Sequence, residues 1–269
     1  MIGIIANPSS GKDMGASCII TLGGDGTNRA VAKSCGDIPL IPISTGTNNV
    51  FPMMLEGTIA GMAAVVAEKD YKKKYLKVNR CKKLNIYKNN ELVDIALIDA
   101  VVTNDLFVGA RALYDPNSLR ELLVTVAKPT CLGMSAIAGS VNPIDEDEPY
   151  GLYVEMGQSG QLKTWVPMAP GMMSSIKLSS YRRINLGEKV KIKSLEGMVA
   201  LDGEREVSFS KNDKIEIELS PLGPNVIDIH ETLKAASEDG FFIEEGQGLY
   251  KYFNKIGGIN HESIKGRFN

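Results

Sequence analysis

A glycine-rich segment with one acid at its centre, Gly23-Gly24-Asp25-Gly26-Thr27, has the residue types of a phosphate-handling loop. Glycines lack a Cβ, so phosphate oxygens can approach their backbone N–H groups directly. A carboxylate among such amides disfavours simple anion binding, so we expect Asp25 to hold a metal ion or to accept a proton. Taken alone, the segment is equally consistent with a tight turn in which Asp25 caps a helix.

Two further loops carry small polar residues of the kind that suits phosphate. One contains hydroxyl groups, a glycine and a lysine, which suit a triphosphate, although it does not satisfy the Walker A pattern and an exposed turn is the alternative. The other supplies more small donors. The first loop consists of Asn7, Pro8, Ser9, Ser10, Gly11 and Lys12, and the second of Ser44, Thr45, Gly46, Thr47, Asn48 and Asn49.

All three loops follow short apolar runs that are typical of buried strands, namely Ile2–Ala6, Cys18–Leu22 and Pro39–Ile43. Ligands of open α/β sheets bind at the carboxyl ends of the strands. We therefore predict that the three loops converge on one phosphate site. A fourth segment, Asp202-Gly203-Glu204, predicts by itself only a hairpin turn, because Asp-Gly is a strong hairpin signal.

Helices predicted at Asn28–Cys35 and Thr58–Glu68 alternate with these strands and indicate a parallel sheet covered on both faces. The dipole of the first helix would add to the phosphate site. One spacing does not fit. The first two strands are separated by 11 loop-like residues, too few for a parallel crossover with a helix. Either a segment is missing near Asp13 and Met14, or the two strands are not neighbours.

From about Tyr75 onward, many short β-prone runs indicate an antiparallel sandwich. One helix is predicted to interrupt them, at Pro116–Ala127, because its leucines share one face at helical spacing. After Pro221 the sequence looks mixed or helical and is expected to return to the first domain. The predicted organisation is an N-terminal Rossmann-like parallel α/β domain at 1–74 with a C-terminal return at 225–269, and an all-β sandwich domain at 75–224.

Composition excludes several classes of function. The formal net charge of −2 gives no support for nucleic-acid binding. No stretch approaches the roughly 20 apolar residues that cross a bilayer, and the N-terminus lacks the features of a signal peptide. The four cysteines are scattered, and His230 and His261 lie far apart, so a zinc cluster is not expected. Reduced thiols fit a cytoplasmic protein.

The motifs Asn7-Pro-x-Ser-Gly-Lys, Gly23-Gly-Asp-Gly-Thr27 and Thr45-Gly-Thr-Asn48, in this order, resemble the superfamily of NAD kinases and diacylglycerol/sphingosine-type lipid kinases. The segment GGDGTNRAVAK…DIPLIPISTGTNNVFP most resembles the ATP-NAD-kinase-like proteins of the AcoX type, which are found with acetoin catabolism. The resemblance is strong over residues 1–57 and only architectural beyond them.

The resemblance implies an α/β domain followed by a β-sandwich domain, with the active site in the cleft between them. It implies that ATP donates its γ-phosphate with magnesium (Mg²⁺) and that Asp25 acts as base or metal ligand, and either role is chemically sensible. The phosphate cradle would comprise Gly23, Gly24, Gly26, Thr27 and Asn28 with the Ser44–Asn49 loop. Asp202 and Glu204 match the D-G-E of the lipid-kinase branch, which makes them candidates for a second site.

The sequence departs from the family pattern on the acceptor side. NAD kinases carry an Asn-Glu pair that holds the dinucleotide, and the nearest match by position, Ile98-Asp99, lacks the asparagine. The Thr-Gly-Ser-Thr-Ala-Tyr loop is also absent, and the equivalent stretch, 169–175, lacks the tyrosine. Asn104, at the end of a predicted strand, is a candidate polar anchor or a structural turn.

The sequence therefore predicts a cytoplasmic ATP-dependent kinase with an alcohol acceptor, for which NAD is the first choice. A lipid or other small-molecule kinase is the alternative enzyme, and a nucleotide-binding sensor without catalysis is the alternative class. The expected partners are small nucleotides, without nucleic acid or a membrane span. The resemblance leaves a homo-oligomer open, because relatives of this architecture are often dimers or tetramers.

Overall fold

The computed structural model of the chain describes residues 2–4, 15–70, 74–104, 117–157, 160–203 and 205–243. These residues form two kinds of layer, a mostly parallel sheet with helices and a pair of antiparallel sheets. The strands are β1 (Ile2–Ile4), β2 (Cys18–Leu22), β3 (Leu40–Ile43), β4 (Val78–Arg80), β5 (Lys83–Lys88), β6 (Glu91–Ala96), β7 (Asp99–Thr103), β8 (Leu119–Val124), β9 (Tyr150–Met156), β10 (Leu162–Ala169), β11 (Met172–Asn185), β12 (Lys189–Lys191), β13 (Gly197–Leu201), β14 (Arg205–Phe209), β15 (Ile215–Ser220) and β16 (Asn225–Ile227). The helices are α1 (Asp25–Ala32), α2 (Gly57–Lys69), α3 (Met134–Gly139) and α4 (Ile229–Glu238).

The first layer is a five-stranded sheet in the order β1-β2-β3-β16-β4. Its pairs are parallel except for β16 with β4. The proposal that the first two strands are not neighbours is wrong, since Ile2 pairs with Cys18 in a parallel ladder. The alternative, a segment missing near Asp13 and Met14, concerns residues outside the described part of the chain.

Helices cover both faces of this sheet, as the alternating strands and helices predicted. On one face the small side chains Ala60, Ala63 and Ala64 let α2 pack closely on β2 and β3. Ile229 at the start of α4 joins the same cluster. On the other face Val31 of α1 packs against Ile19 and Leu40. The apolar runs of β2 and β3 are continuous because these strands are buried on both sides.

The antiparallel sheets form the predicted sandwich. One has seven strands in the order β10-β11-β9-β8-β7-β13-β14, and the other has four in the order β12-β15-β5-β6. Leu84, Ile86 and Ile217 of the smaller sheet pack against Leu123 and Val199 of the larger one. The chain thus has the predicted fold class, a parallel α/β layer joined to an all-β sandwich.

The helix predicted over Pro116–Ala127 is wrong in the part that the structure describes. Leu119–Val124 is β8, which lies in the middle of the seven-stranded sheet between β7 and β9. Leu122 faces the core shared with α3, whereas Leu123 faces the four-stranded sheet. A central strand needs apolar residues on both faces, and in a short segment such a run matches helical spacing equally well.

Residues 225–238 return to the α/β layer. β16 lies between β3 and β4. Asp228 is the N-cap of α4, and its side chain accepts a hydrogen bond from the Glu231 N–H. Within the described residues, no helix is long and apolar enough to cross a membrane.

Candidate functional site

The glycine-rich loop leads directly into helix α1, which begins at Asp25 rather than at Asn28. Gly24 is the N-cap, and the first helical hydrogen bond runs from the Asn28 N–H to the Gly24 carbonyl. The N–H groups of the first helical turn therefore have no acceptor within the helix. Asp25 and Gly26 of this turn line a cleft that faces the sandwich. The N-terminus of a helix with this arrangement suits an anion.

The Asp25 carboxylate ties this helix to the loop after β3. The Val50 N–H lies 3.1 Å from both carboxylate oxygens, and the Phe51 N–H lies 2.8 Å from Oδ1. Hydrogen bonds from amides favour the ionised form of a carboxylate. These amides hold the Asp25 carboxylate at the mouth of the glycine-rich loop, and the residue in the N-cap position of the helix is Gly24.

Close contacts explain two of the glycines in this loop. A Cβ on Gly23 would lie 2.5 Å from Thr27 Oγ1, and a Cβ on Gly24 would lie 2.7 Å from Asn49 Oδ1. The second contact joins the glycine-rich loop to the Ser44–Asn49 loop. Two of the three predicted phosphate loops are thus adjacent, at the carboxyl ends of β2 and β3.

The Ser44–Asn49 loop is held by its own side chains. Asn49 Nδ2 donates to Ser44 Oγ at 2.7 Å, and Ser44 Oγ donates to the Gly46 carbonyl at 2.6 Å. Asn48 is exposed and lines the cleft together with Asn49. Thr45 and Thr47 are exposed on the same loop.

Asn28 has a structural position. Its side chain is fully buried, accepts a hydrogen bond from Thr21 Oγ1 and donates one to the Gly24 carbonyl at 2.9 Å. It therefore holds the loop against β2 without lining the cleft. Thr27 is exposed one residue earlier.

The cleft has a volume of about 250 Å³. One of its walls is polar, and the opposite wall is largely apolar. The polar wall belongs to the loops just described. The opposite side combines two acids, Asp99 and Asp202, with apolar side chains. The apolar lining residues are Val101, Leu132, Met134, Met168 and Ala169.

Asp202 occupies the β13–β14 turn, as the Asp-Gly pair predicted, with φ values of 50° at Asp202 and 76° at Gly203. Its side chain is completely buried and points inward. The carboxylate accepts hydrogen bonds from three successive backbone N–H groups, at 2.9 Å from Leu97, 2.8 Å from Ile98 and 3.2 Å from Asp99. Asp202 thereby fixes the bend between β6 and β7.

Asp99 begins β7 at this bend and lines the cleft. The residue as a whole is half-buried, but its Oδ1 atom is inaccessible to solvent and has no hydrogen-bond partner in the described part of the chain. Burial raises the pKa of the Asp99 carboxyl well above its usual value, and the charges of Asp202 and Asp25 raise it further, against the opposing effect of Arg29. This environment therefore favours the neutral form of the Asp99 carboxyl.

Arg29 is a site residue that the sequence analysis missed. It lies one helical turn after Asp25 and is only 6% exposed. Its Nε lies 3.9 Å from Asp202 Oδ2. Burial raises the pKa of Asp202 and outweighs the lowering effects of the Leu97 and Ile98 amides and the Arg29 charge, so that the pKa is about 6. Nothing in the local sequence distinguishes Arg29 from an exposed helical arginine, because the acid it faces lies far along the chain.

The remaining candidates fall into two groups. Asn104 is exposed at the end of β7, where its amide faces the Ser118 carbonyl and Arg120, and it does not line the cleft. The others lie outside the described residues, and these are Asn7, Ser9, Ser10, Gly11, Lys12 and Glu204.

A protein-built metal cage is not found in the part of the chain that the structure describes, because no three His, Cys, Asp or Glu side chains are grouped suitably. Mg²⁺ in phosphoryl-transfer sites is commonly held by one or two carboxylates together with substrate phosphates. Asp25 fits that mode, in which the cation comes with the nucleotide.

The chain thus joins an α/β layer with a glycine-rich loop to a β-sandwich across an acid-lined cleft, and its N-terminal part has a kinase-like fold. The model of the ATP-NAD kinase N-terminal domain matches residues 6–71. The model of the acetoin catabolism protein X C-terminal domain matches residues 82–222, more than half of the chain. The chain therefore belongs to the acetoin catabolism protein X family.

A curated relative, acetoin catabolism protein X from Cupriavidus necator, is 36% identical over 230 residues. The match covers 83% of this chain but only 64% of the relative, so the chain spans less than two thirds of that protein.

Solved structures of NAD kinases are more distant. Yeast NADH kinase complexed with NADH has a TM-score of 0.48 at 14% identity, covering 86% of this chain and 68% of that one. An NAD kinase from Archaeoglobus fulgidus in complex with ATP has a TM-score of 0.45 at 15% identity, covering 90% and 89%. Both TM-scores are below 0.5, so the assignment of the fold rests on the sheets of this chain itself.

Proposed function

We propose that this protein is an ATP-dependent phosphotransferase that moves the γ-phosphate of ATP to a hydroxyl group, with NAD as the first-choice acceptor. The observation that carries the proposal is the position of Asp25. This carboxylate, held by the Val50 and Phe51 amides, lies at the N-terminus of α1, where N–H groups without an acceptor in the helix suit phosphate. It lines the same cleft as Asp99 and Asp202. The match to the ATP-NAD kinase N-terminal domain covers this half of the site.

In the proposed reaction, the first-turn N–H groups of α1 and the amides of Asn48 and Asn49 orient the phosphates. Asp25 receives the proton of the acceptor hydroxyl or orients the cation-bearing phosphate, as phosphoryl transfer requires. Mg²⁺ bound with ATP would neutralise phosphate charge. The raised pKa of Asp99 favours its neutral form, which would donate a hydrogen bond to a substrate oxygen without repelling phosphate.

The apolar wall of the cleft favours a second acceptor class. Val101, Leu132, Met134 and Met168 offer no hydrogen bonds to a ribose or an amide. A lipid or other small alcohol with an aliphatic body would pack there with less loss of polar contacts. The phosphate-donor half of the proposal is the same for both acceptors.

The test is an assay with ATP, Mg²⁺ and NAD in which NADP is detected as NADPH after adding glucose-6-phosphate dehydrogenase. We expect NADP formation that falls at least 100-fold in Asp25→Ala. Asp37→Asn is the matched control, because the Asp37 side chain is 87% exposed and does not line the cleft. Its activity should equal that of the parent.

The other outcomes discriminate among the alternatives. Phosphorylated lipid or small alcohol, with no NADP, would support the second acceptor class. ATP binding by calorimetry without turnover on any acceptor would contradict the enzyme and support a nucleotide-binding sensor. Activity that survives in Asp25→Ala would remove the proposed role of that residue.

A further inference from the structure

We infer that Arg29 is a positioning residue. Through its contact with Asp202, it holds helix α1, which follows the glycine-rich loop, in place relative to Asp99 on the opposite side of the cleft. The effect of Arg29 on the reaction rate rests on the proposed function, whereas its effect on the structure does not. Arg29 does not line the cleft, so it would act through other residues.

The geometry forms a continuous chain of contacts across the site. Asp25 and Arg29 are four residues apart in α1 and therefore lie on the same side of the helix. The Arg29 guanidinium faces the completely buried Asp202 carboxylate at 3.9 Å. That carboxylate in turn holds the backbone N–H of Asp99, and the Asp202 N–H donates to the Asp99 carbonyl at 3.0 Å.

The hydrogen bonding of Arg29 is incomplete. Its Nε and Nη1 atoms are inaccessible to solvent and have no partner among the described residues. Buried donors are rarely left unsatisfied, because each costs free energy comparable to a lost hydrogen bond. A movement of about 1 Å would bring Nε within the usual hydrogen-bond distance of Asp202.

Charge makes this contact specific. The groups that face one another are Arg29, Asp202, Asp99 and Asp25, and Arg29 is the cation that acts on both Asp202 and Asp99. Without Arg29, an ionised Asp202 would be a buried charge held only by backbone amides. Removing one partner of a buried ion pair is strongly destabilising for this reason.

The first test measures structure without relying on activity. Melting temperatures of the parent and of Arg29→Met are compared at pH 5 and pH 8. Because the Asp202 pKa is about 6, above its ordinary value, Asp202 is mostly protonated at pH 5 and ionised at pH 8. We expect the loss in Arg29→Met to be large at pH 8 and to shrink or reverse at pH 5, where Arg29 itself lacks a counter-charge.

Lys33→Met is the matched control. Lys33 lies one turn further along the chain and pairs with Asp94, another buried acid, at 2.5 Å, but neither residue lines the cleft. Hydrogen exchange is measured on the amides of residues 97–99. We expect it to become at least tenfold faster in Arg29→Met and to stay unchanged in Lys33→Met. Equal melting losses at both pH values, or unchanged exchange at residues 97–99, would overturn the coupling.

The second test is kinetic, on whichever acceptor is turned over. We expect kcat to fall at least tenfold in Arg29→Met with less than a twofold change in KM for ATP, and Arg29→Lys to recover part of kcat. A change confined to KM for ATP would overturn the positioning role. If the protein proves inactive on every acceptor, the proposed function fails, and the melting and exchange results still decide the structural coupling.

Discussion

The contact between the glycine-rich loop and the Ser44–Asn49 loop allows a sharp prediction for Gly24→Ala. The backbone at Gly24 is extended, with φ −95° and ψ −167°, so alanine is acceptable there by conformation. The obstacle is the new Cβ, which would lie 2.7 Å from Asn49 Oδ1, whereas ordinary contacts begin at 3.4 Å. The Asn49 side chain must therefore move by about 0.7 Å or rotate.

Rotation of Asn49 breaks its 2.7 Å hydrogen bond to Ser44 Oγ. A hydrogen bond of this kind contributes about 1 kcal/mol, and an off-rotamer side chain costs about 0.5–1.5 kcal/mol. Alanine is also a poorer N-cap than glycine. We expect Gly24→Ala to lower the free energy of unfolding by about 2 kcal/mol in urea titrations. Gly61→Ala is the control, because its Cβ meets no atom within 4 Å in the middle of α2, and it should gain about 1 kcal/mol.

A double-mutant cycle tests the cause. In an Asn49→Ala background the obstacle is gone, so Gly24→Ala should cost only the difference in capping, below about 1 kcal/mol. If Gly24→Ala costs the same in both backgrounds, the contact with Asn49 is not the reason for glycine at this position, and the reasoning is refuted.

Two other buried or capping carboxylates give further predictions. Glu121 is 3% exposed and accepts hydrogen bonds from the Lys193 and Ser194 N–H groups. Glu121→Gln should therefore lower the free energy of unfolding in urea by about 3 kcal/mol. A decrease no larger than that in Glu196→Gln, at an exposed position, would contradict this. At Asp70, burial raises the carboxyl pKa, but three backbone N–H groups after α2 outweigh it and hold the pKa below its usual 3.8. This stabilisation is present above pH 3.8 and is lost as the pH falls further. Asp70→Asn should therefore have a clearly lower melting temperature than the parent at pH 7 and a smaller difference at pH 2. Equal differences at the two pH values would argue against this role of Asp70.

The α/β layer could be predicted from the sequence because its signals are local. The strand predicted at Cys18–Leu22 has these bounds in the structure. In the sandwich, the turn predicted from the adjacent residues Asp202 and Gly203 is confirmed by their positive φ angles. The β8 strand was mistaken for a helix because its neighbours in the sheet are distant in sequence. Its buried faces are set by the four-stranded sheet and α3, which no local pattern shows.

In the candidate site too, local sequence signals could be read in advance, whereas contacts between distant residues could not. Asp25 is a predicted site residue because the glycines around it are adjacent in sequence, and in the structure it lines the cleft. Its actual hydrogen-bond donors, the backbone N–H groups of Val50 and Phe51, carry no side-chain signal. Arg29 and Asp202 are separated by most of the sandwich in sequence, so their contact could not be predicted without the fold.

The position of β16 has a consequence for how this chain can fold during synthesis. β16 lies inside the parallel sheet, between β3 and β4, although it is made after the entire sandwich. A ribosome releasing the chain from its N-terminus would therefore expose an open edge of β3 until residue 227 emerges. Domains usually fold as units during synthesis, N-terminal first, but here the sandwich can complete its pairing before the α/β layer does. Premature termination after the first helices would leave that edge available for pairing with other chains.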